Sequence, residues 1–146
     1  DGDGDLDVLL NNGDSMHSDT LKPSHGVRWL ENAGQTPFAM HLLASLPGAY
    51  KAVAGDIDGD GDQDVVAIAC PPLGTSPETW QTKELLVVLE QTAPGAFARH
   101  VLPEEVGGTA LTIGDFDGDG DLDLASGAFH RGENTAWVTV WWNEGK

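Results

Sequence analysis

Aspartates recur at every second position in three short segments of the sequence. The first loop reads DGDGDLD at residues 1–7, the middle loop DIDGDGDQD at 56–64 and the third loop DFDGDGDLD at 115–123. Alternate carboxylates on a tightly turned, glycine-containing backbone supply the roughly six to eight oxygen ligands that Ca²⁺ prefers. Mg²⁺ fits less well, because it takes fewer protein oxygens and keeps more of its waters. The pattern therefore predicts calcium loops rather than acidic turns that only add charge.

The middle loop presents a complete ligand pattern when it is numbered from Asp56 as position 1, because Gly61 then stands at position 6, where the backbone turns. We expect side-chain oxygens from positions 1, 3 and 5, a backbone carbonyl from position 7 and a closing carboxylate from position 9. The first loop starts at position 3, so its site is incomplete in this sequence. The predicted metal residues are Asp56, Asp58, Asp60, Asp62 and Asp64; Asp115, Asp117, Asp119, Asp121 and Asp123; and Asp1, Asp3, Asp5 and Asp7.

Four further residues are candidates for ligand binding. His17, His25, Trp80 and His130 lie in the connections whose length varies between repeats, and such variation is typical of a binding face. Histidines there can also bind a transition metal or act in acid–base chemistry, but no metal-ligand spacing supports this. Solvated histidines and a tryptophan packed as a loop lid are the simpler alternatives.

The segments that flank the acidic loops are short, apolar and separated by turn residues, which is typical of β-strands. The middle repeat contains four of them, which we label A to D: residues 50–56, 64–69, 84–91 and 97–102. The loops recur at intervals of 57 and 59 residues, and a four-stranded repeat of this length is typical of a propeller blade. The sequence predicts an all-β protein built from antiparallel four-stranded blades, with a calcium loop between strands A and B.

The predicted strands divide the chain into one whole blade and two incomplete ones. Residues 1–44 supply strands B to D, residues 50–102 a complete blade, and residues 108–146 strands A to C. The whole of 1–146 is thus a partial propeller of about 2.5 blades, at about 58 residues each. We expect the remaining blades of a parent chain to cover apolar surface that both end sheets expose.

Composition excludes several classes of partner. The chain carries 24 acidic against 7 basic residues, a formal net charge of −17, and is therefore not expected to bind nucleic acid. Its apolar runs are too short for membrane insertion. Fourteen of the acidic residues lie in the three loops, where they would repel one another without a cation.

The segments AVAGDIDGDGDQDVVAIA (52–69) and LTIGDFDGDGDLDLASGA (111–128) resemble FG-GAP or VCBS repeats, which are related to the calcium-bearing blades of integrin α-subunits. The resemblance implies a β-propeller with structural Ca²⁺ in an extracellular, periplasmic or cell-surface protein. It favours a binding or scaffold module for an unknown protein or carbohydrate ligand. The alternative is part of a sugar-directed propeller enzyme, a lyase or a dehydratase, with its site on the B–C connections. The Phe-Gly and Gly-Ala-Pro signatures of the integrin repeats are not kept.

Overall fold

Ten β-strands make up the regular structure of the chain in a computed structural model that describes residues 1–13, 20–72, 84–103, 107–128 and 137–145. The strands are β1 (Val8–Asn12), β2 (Gly26–Glu31), β3 (Ala39–Ser45), β4 (Ala49–Gly55), β5 (Asp64–Ala69), β6 (Leu86–Ala93), β7 (Ala96–Leu102), β8 (Ala110–Gly114), β9 (Asp123–Gly127) and β10 (Val138–Trp141). None of the described segments forms a helix that is long and apolar enough to cross a bilayer.

The strands form three antiparallel sheets that follow one another along the chain. The first sheet has the order β1-β2-β3, the middle sheet β4-β5-β6-β7 and the third sheet β8-β9-β10. This confirms the predicted fold class, an all-β protein of antiparallel propeller blades with one complete and two incomplete sheets. Strand β6 ends two residues later than predicted, because its pairing with β7 continues to Ala93 beside the turn at Gly95.

Strand β5 is buried along its whole length because the middle sheet is covered on both faces. Val65, Ala67 and Ala69 belong to an apolar cluster shared with the first sheet. Val66 and Ile68, which point the opposite way, belong to a second cluster shared with β8 and β9 of the third sheet. The three sheets therefore stack face to face.

Each acidic loop sits at the same end of its sheet. In the middle sheet Gly55 pairs with Asp64 beside the loop, whereas Ala49 pairs with Ala69 at the opposite end. The third sheet repeats this arrangement, with Gly114 paired to Asp123. Strands β5 and β9 thus start at the loop end, and the connections that follow them start at the other end.

The outward faces of both end sheets expose apolar side chains, as predicted. Met40 and Leu42 of the first sheet are 63% and 60% exposed, and Val138 and Trp142 near β10 are 63% and 54% exposed. Exposed apolar surface that is continuous along a sheet face is typical of an interaction surface.

Candidate metal centres

The middle loop gathers three carboxylates at one point. Each of the carboxylates of Asp56, Asp58 and Asp64 contributes one oxygen, and these three oxygens lie within 4.8 Å of one another. Glycine makes the turn possible, because Gly61 has a φ of 98°, which other residues adopt only with strain. Its N–H donates to Oδ2 of Asp56 at 3.1 Å and so closes the loop onto the first carboxylate. Positions 1, 3 and 9 thus converge.

The third loop reproduces this geometry. Oxygens of Asp115, Asp117 and Asp123 lie within the same 4.8 Å of one another. The N–H of Gly120 donates to Oδ2 of Asp115 at 3.2 Å, as Gly61 does to Asp56. Two loops 59 residues apart therefore build the same cluster from the same positions.

A divalent cation fits the middle cluster. Oδ1 of Asp56 is buried and accepts no hydrogen bond from the described residues. Such an oxygen carries an unmet desolvation cost unless a cation or another donor satisfies it. The clustered donors are all carboxylates, the hard oxygen ligands that Ca²⁺ and Mg²⁺ take.

The side chains at positions 5 and 7 of the two complete loops are not part of these carboxylate clusters, and ligation by position 5 and by the position 7 carbonyl stays a prediction. Asp60 is exposed, and its Oδ1 accepts the N–H of Asp62 at 3.1 Å. Asp119 is likewise exposed and accepts the N–H of Asp121 at 2.9 Å. Oδ1 of Asp62 is buried and receives no hydrogen bond from the described part of the chain.

The first loop forms no such cluster among the described residues. Its aspartates follow one another in a chain, in which the N–H of Asp3 donates to Asp1 at 3.1 Å and the N–H of Asp5 donates to Asp3 at 2.9 Å. Asp7 lies 3.7 Å from the N-terminal ammonium group. The described aspartates of the first loop therefore do not converge as positions 1, 3 and 9 do in the other two loops.

In the third loop, charge repulsion and hydrogen bonding shift the pKa values of two aspartates in opposite directions. Desolvation, followed by the negative charges of Asp119, Asp123 and Asp115, raises the pKa of Asp117 above its usual value. In contrast, backbone N–H groups of Asn143 and Phe116 lower the pKa of Asp123. The carboxylate of Asp117 thus stays destabilised although it accepts the N–H of Asp119 at 3.2 Å, whereas hydrogen bonds stabilise the charged form of Asp123.

The last aspartate of each loop also accepts a hydrogen bond from the backbone at the end of strand C and so connects the loop to its sheet. The buried Asp64 accepts the N–H of Ile57 on Oδ2 and the N–H of Gln91 on Oδ1, both at 2.8 Å. Asp123 accepts the N–H groups of Phe116 at 2.8 Å and Asn143 at 3.0 Å in the same way.

In the first loop, Asp7 accepts the N–H of Asn32 at 2.8 Å. The sequence analysis did not identify Asn32, Gln91 and Asn143 as partners of the loops. A signal for them exists, because an amide residue stands at or just beyond the end of strand C in every repeat: Asn32 after β2, Gln91 near the end of β6 and Asn143 after β10.

Asn143 further links two sheets. Its Nδ2 donates to the carbonyl of Ile57 in the middle loop at 2.8 Å and to that of Leu122 in the third loop at 3.3 Å. The segment that follows β10 is therefore hydrogen-bonded directly to the backbone of the middle loop.

Of the four residues predicted to bind a ligand, the structure describes His25. It is 3% exposed, and its Nδ1 accepts the N–H of Gly48 at 3.1 Å. Gly48 precedes β4, so His25 lies at the end opposite the acidic loops. His17, Trp80 and His130 lie outside the described residues, and ligand binding by all four stays a prediction.

Comparison with family models gives two matches. Residues 1–67 match the FG-GAP-like repeat model and residues 107–138 match the FG-GAP repeat model. No curated protein and no solved structure matches the chain. Both matched segments contain acidic loops between the strands described above, and the chain therefore belongs to the FG-GAP repeat family.

Proposed function

We propose that the chain is a calcium-binding propeller module of an extracellular, periplasmic or cell-surface protein. The observation that carries the proposal is the repeated carboxylate cluster, with the buried and unsatisfied Oδ1 of Asp56 in one of its two copies. Asp56, Asp58 and Asp64 hold one ion, and Asp115, Asp117 and Asp123 hold the other. Ca²⁺ suits such loops better than Mg²⁺, because it accepts more protein oxygens.

The proposed location follows from the expected affinity. Extracellular calcium modules bind with Kd values of about 10⁻⁴ to 10⁻³ M, which cytosolic calcium would not fill. The ion would then be a permanent structural component rather than a signal.

Calorimetric titration of the metal-free protein with Ca²⁺ tests the proposal. We expect two sites in the chain, one site in Asp58→Asn or Asp117→Asn, and none in the double variant. Glu144→Gln is the matched control, because it removes an exposed carboxylate outside the loops. Two sites in the double variant, or none in the unmodified chain, would overturn the assignment. A parallel titration with Mg²⁺ should show weaker binding.

The exposed faces of the two end sheets support a scaffold role. Met40 and Leu42 on one side and Val138 and Trp142 on the other present the kind of surface that the middle sheet buries. We infer that further blades of a parent protein pack on these faces. The proposed protein or carbohydrate ligand would then bind at the end opposite the calcium loops, on the connections that contain His17, Trp80 and His130.

A panel of soluble polysaccharides in affinity electrophoresis tests the carbohydrate alternative. Retardation that is lost in Trp80→Ala but kept in Trp142→Ala would support stacking of a sugar on the connection. Equal retardation of both variants and the unmodified chain would contradict it.

A further inference from the structure

Asn143, half-buried just after β10, is hydrogen-bonded to both complete loops. Its backbone N–H donates at 3.0 Å to Oδ1 of Asp123, a member of the carboxylate cluster in the third loop. Its side-chain Nδ2 donates at 2.8 Å to the carbonyl of Ile57 in the middle loop. One residue thus contacts the two loops through two different donor groups.

The contact continues from Ile57 to the carboxylate cluster of the middle loop. The N–H of Ile57 donates at 2.8 Å to Oδ2 of Asp64, which is the position 9 member of that cluster. The bonds from Asp64 to Ile57, from Ile57 to Asn143 and from Asn143 to Asp123 all have the length of normal N–H···O hydrogen bonds. An unbroken series of hydrogen-bonded residues therefore joins the two clusters.

Apolar contacts join the same two loops. The side chain of Ile57 packs against the cluster between the middle and third sheets. Gly55, which directly precedes the middle loop, leaves no room for a side chain, because a Cβ there would overlap Cδ1 of Ile113 and lie 3.3 Å from Cδ1 of Leu122 in the third loop. Since close-packed groups transmit small displacements to their neighbours, a shift of one loop alters the contacts of the other.

We propose that Asn143 is a positioning residue that couples calcium binding at the middle loop to calcium binding at the third loop. Asp123, once held by an ion, fixes the N–H of Asn143, and the amide of Asn143 then holds the carbonyl of Ile57 in place. The second ion therefore binds a loop that is already partly ordered, and its binding loses less conformational entropy. Because coupling between binding sites is reciprocal, an ion in the middle loop favours the third site by the same factor. The inference rests on the proposed calcium function.

Calorimetric titrations with Ca²⁺ measure this coupling. Asp117→Asn keeps only the middle site and Asp58→Asn keeps only the third site, so these variants give the association constant of each site alone. The coupling constant is the product of the two stepwise association constants of the unmodified chain, divided by the product of the two separate constants. A coupling constant above one means that each ion favours the other.

The same three measurements are then repeated with Asn143→Ala added to each protein. We expect the coupling constant to fall about threefold to tenfold, the contribution of one hydrogen bond between neutral groups. Asn143→Ala removes the bond to Ile57 but keeps the backbone N–H that Asp123 accepts. Its side chain also donates to the carbonyl of Leu122, but that bond lies within the third loop and its loss cancels in the ratio.

Asn32→Ala is the matched control, because the amide of Asn32 donates to the carbonyl of Leu6 in the first loop at 3.3 Å. The coupling constant should be unchanged in this background. Equal coupling constants in all three backgrounds, with both sites binding Ca²⁺, would overturn the role of Asn143 and leave the calcium function standing. Absence of Ca²⁺ binding in every protein would overturn the calcium function and this inference with it.

A second measurement needs no substitution at Asn143. When Ca²⁺ is added to Asp58→Asn, the third site fills, and we expect the backbone amide resonance of Ile57 in the middle loop to shift along with it in NMR spectra. The amide resonance of Asn32, whose N–H donates to Asp7 in the first loop, serves as the reference and should stay in place. A resonance of Ile57 that stays in place while the third site fills would overturn the coupling.

Discussion

Substituting Asp64 and Asp58 separately distinguishes the structural contribution of the loop from its contribution to metal binding. Asp64 is 1% exposed and accepts two backbone N–H groups at 2.8 Å, from Ile57 and Gln91. In Asp64→Asn one oxygen becomes an NH₂ group, so one of these N–H groups loses its acceptor. A hydrogen bond to a charged group contributes about 1.5–3 kcal/mol, and we expect a loss of about 2 kcal/mol in the free energy of unfolding without calcium.

Asp58→Asn should behave differently in the absence of calcium. The carboxylate of Asp58 accepts the N–H of Asp60 at 3.2 Å in an exposed part of the loop, and an asparagine oxygen can still accept that bond. The substitution also removes one of several neighbouring negative charges. We therefore expect little change or a slight gain in stability in metal-free buffer, and a loss only when calcium is present.

Urea unfolding followed by tryptophan fluorescence, in EDTA and in calcium, measures both effects. With a urea m-value of about 1–3 kcal/mol/M, the Asp64→Asn midpoint in EDTA should fall by about 1 M. Both variants should lose the part of the calcium-dependent increase in midpoint that the middle loop contributes, and keep the part that comes from the third loop. If the urea midpoints in EDTA were identical for the unmodified chain, Asp58→Asn and Asp64→Asn, the structural role assigned to the position 9 aspartate would be refuted.

Three further predictions follow from the contacts. Chelation should lower the thermal midpoint of the unmodified chain, because a ligand that binds only the folded state stabilises it; an unchanged midpoint in differential scanning calorimetry would contradict this. Asn143→Ala should cost about 1 kcal/mol more in urea unfolding than Asn32→Ala, because the Asn143 side chain also bonds the carbonyl of Ile57 across two sheets; equal losses would show that this bond adds nothing. Trp142→Ser should reduce binding of an apolar dye and self-association without lowering the thermal midpoint, since its side chain is 54% exposed; unchanged dye fluorescence would place the apolar surface elsewhere.

The strands could be predicted because their signals are local. Strand β5 starts and ends at the predicted residues, since an unbroken apolar run between an acidic loop and Pro71 leaves little choice of boundary. The order of strands in each sheet followed from the repeat, because short connections favour antiparallel neighbours.

The ligand geometry could be predicted only in part. Alternation of aspartates suggests that every second carboxylate points inward, but that argument assumes a regular backbone. The structure turns the loop at Gly59 and Gly61, with φ of 74° and 98°, and Asp60 between them is exposed. The carboxylates of positions 1, 3 and 9 converge, and the expected ligation by position 5 stays a prediction.

The hydrogen bond between Asp64 and Gln91 depends on strand pairing that no local sequence pattern contains. Gln91 is 27 residues from Asp64, and its N–H reaches the carboxylate only because β6 pairs with β5.

The position 9 aspartate connects the cation site to the packing of the sheets. Asp64 lies in the carboxylate cluster and at the same time accepts N–H groups from Ile57 and Gln91, so an ion that orders this carboxylate also orders both partners. Ile57 in turn packs between the middle and third sheets and is bonded by Asn143 of the third sheet. Loss of the ion should therefore weaken the contact between neighbouring sheets as well as the loop itself. The contact between the position 9 carboxylate and an N–H at the end of strand C recurs in all three loops, which is the pattern expected if each loop connects its strands to the packing of successive blades.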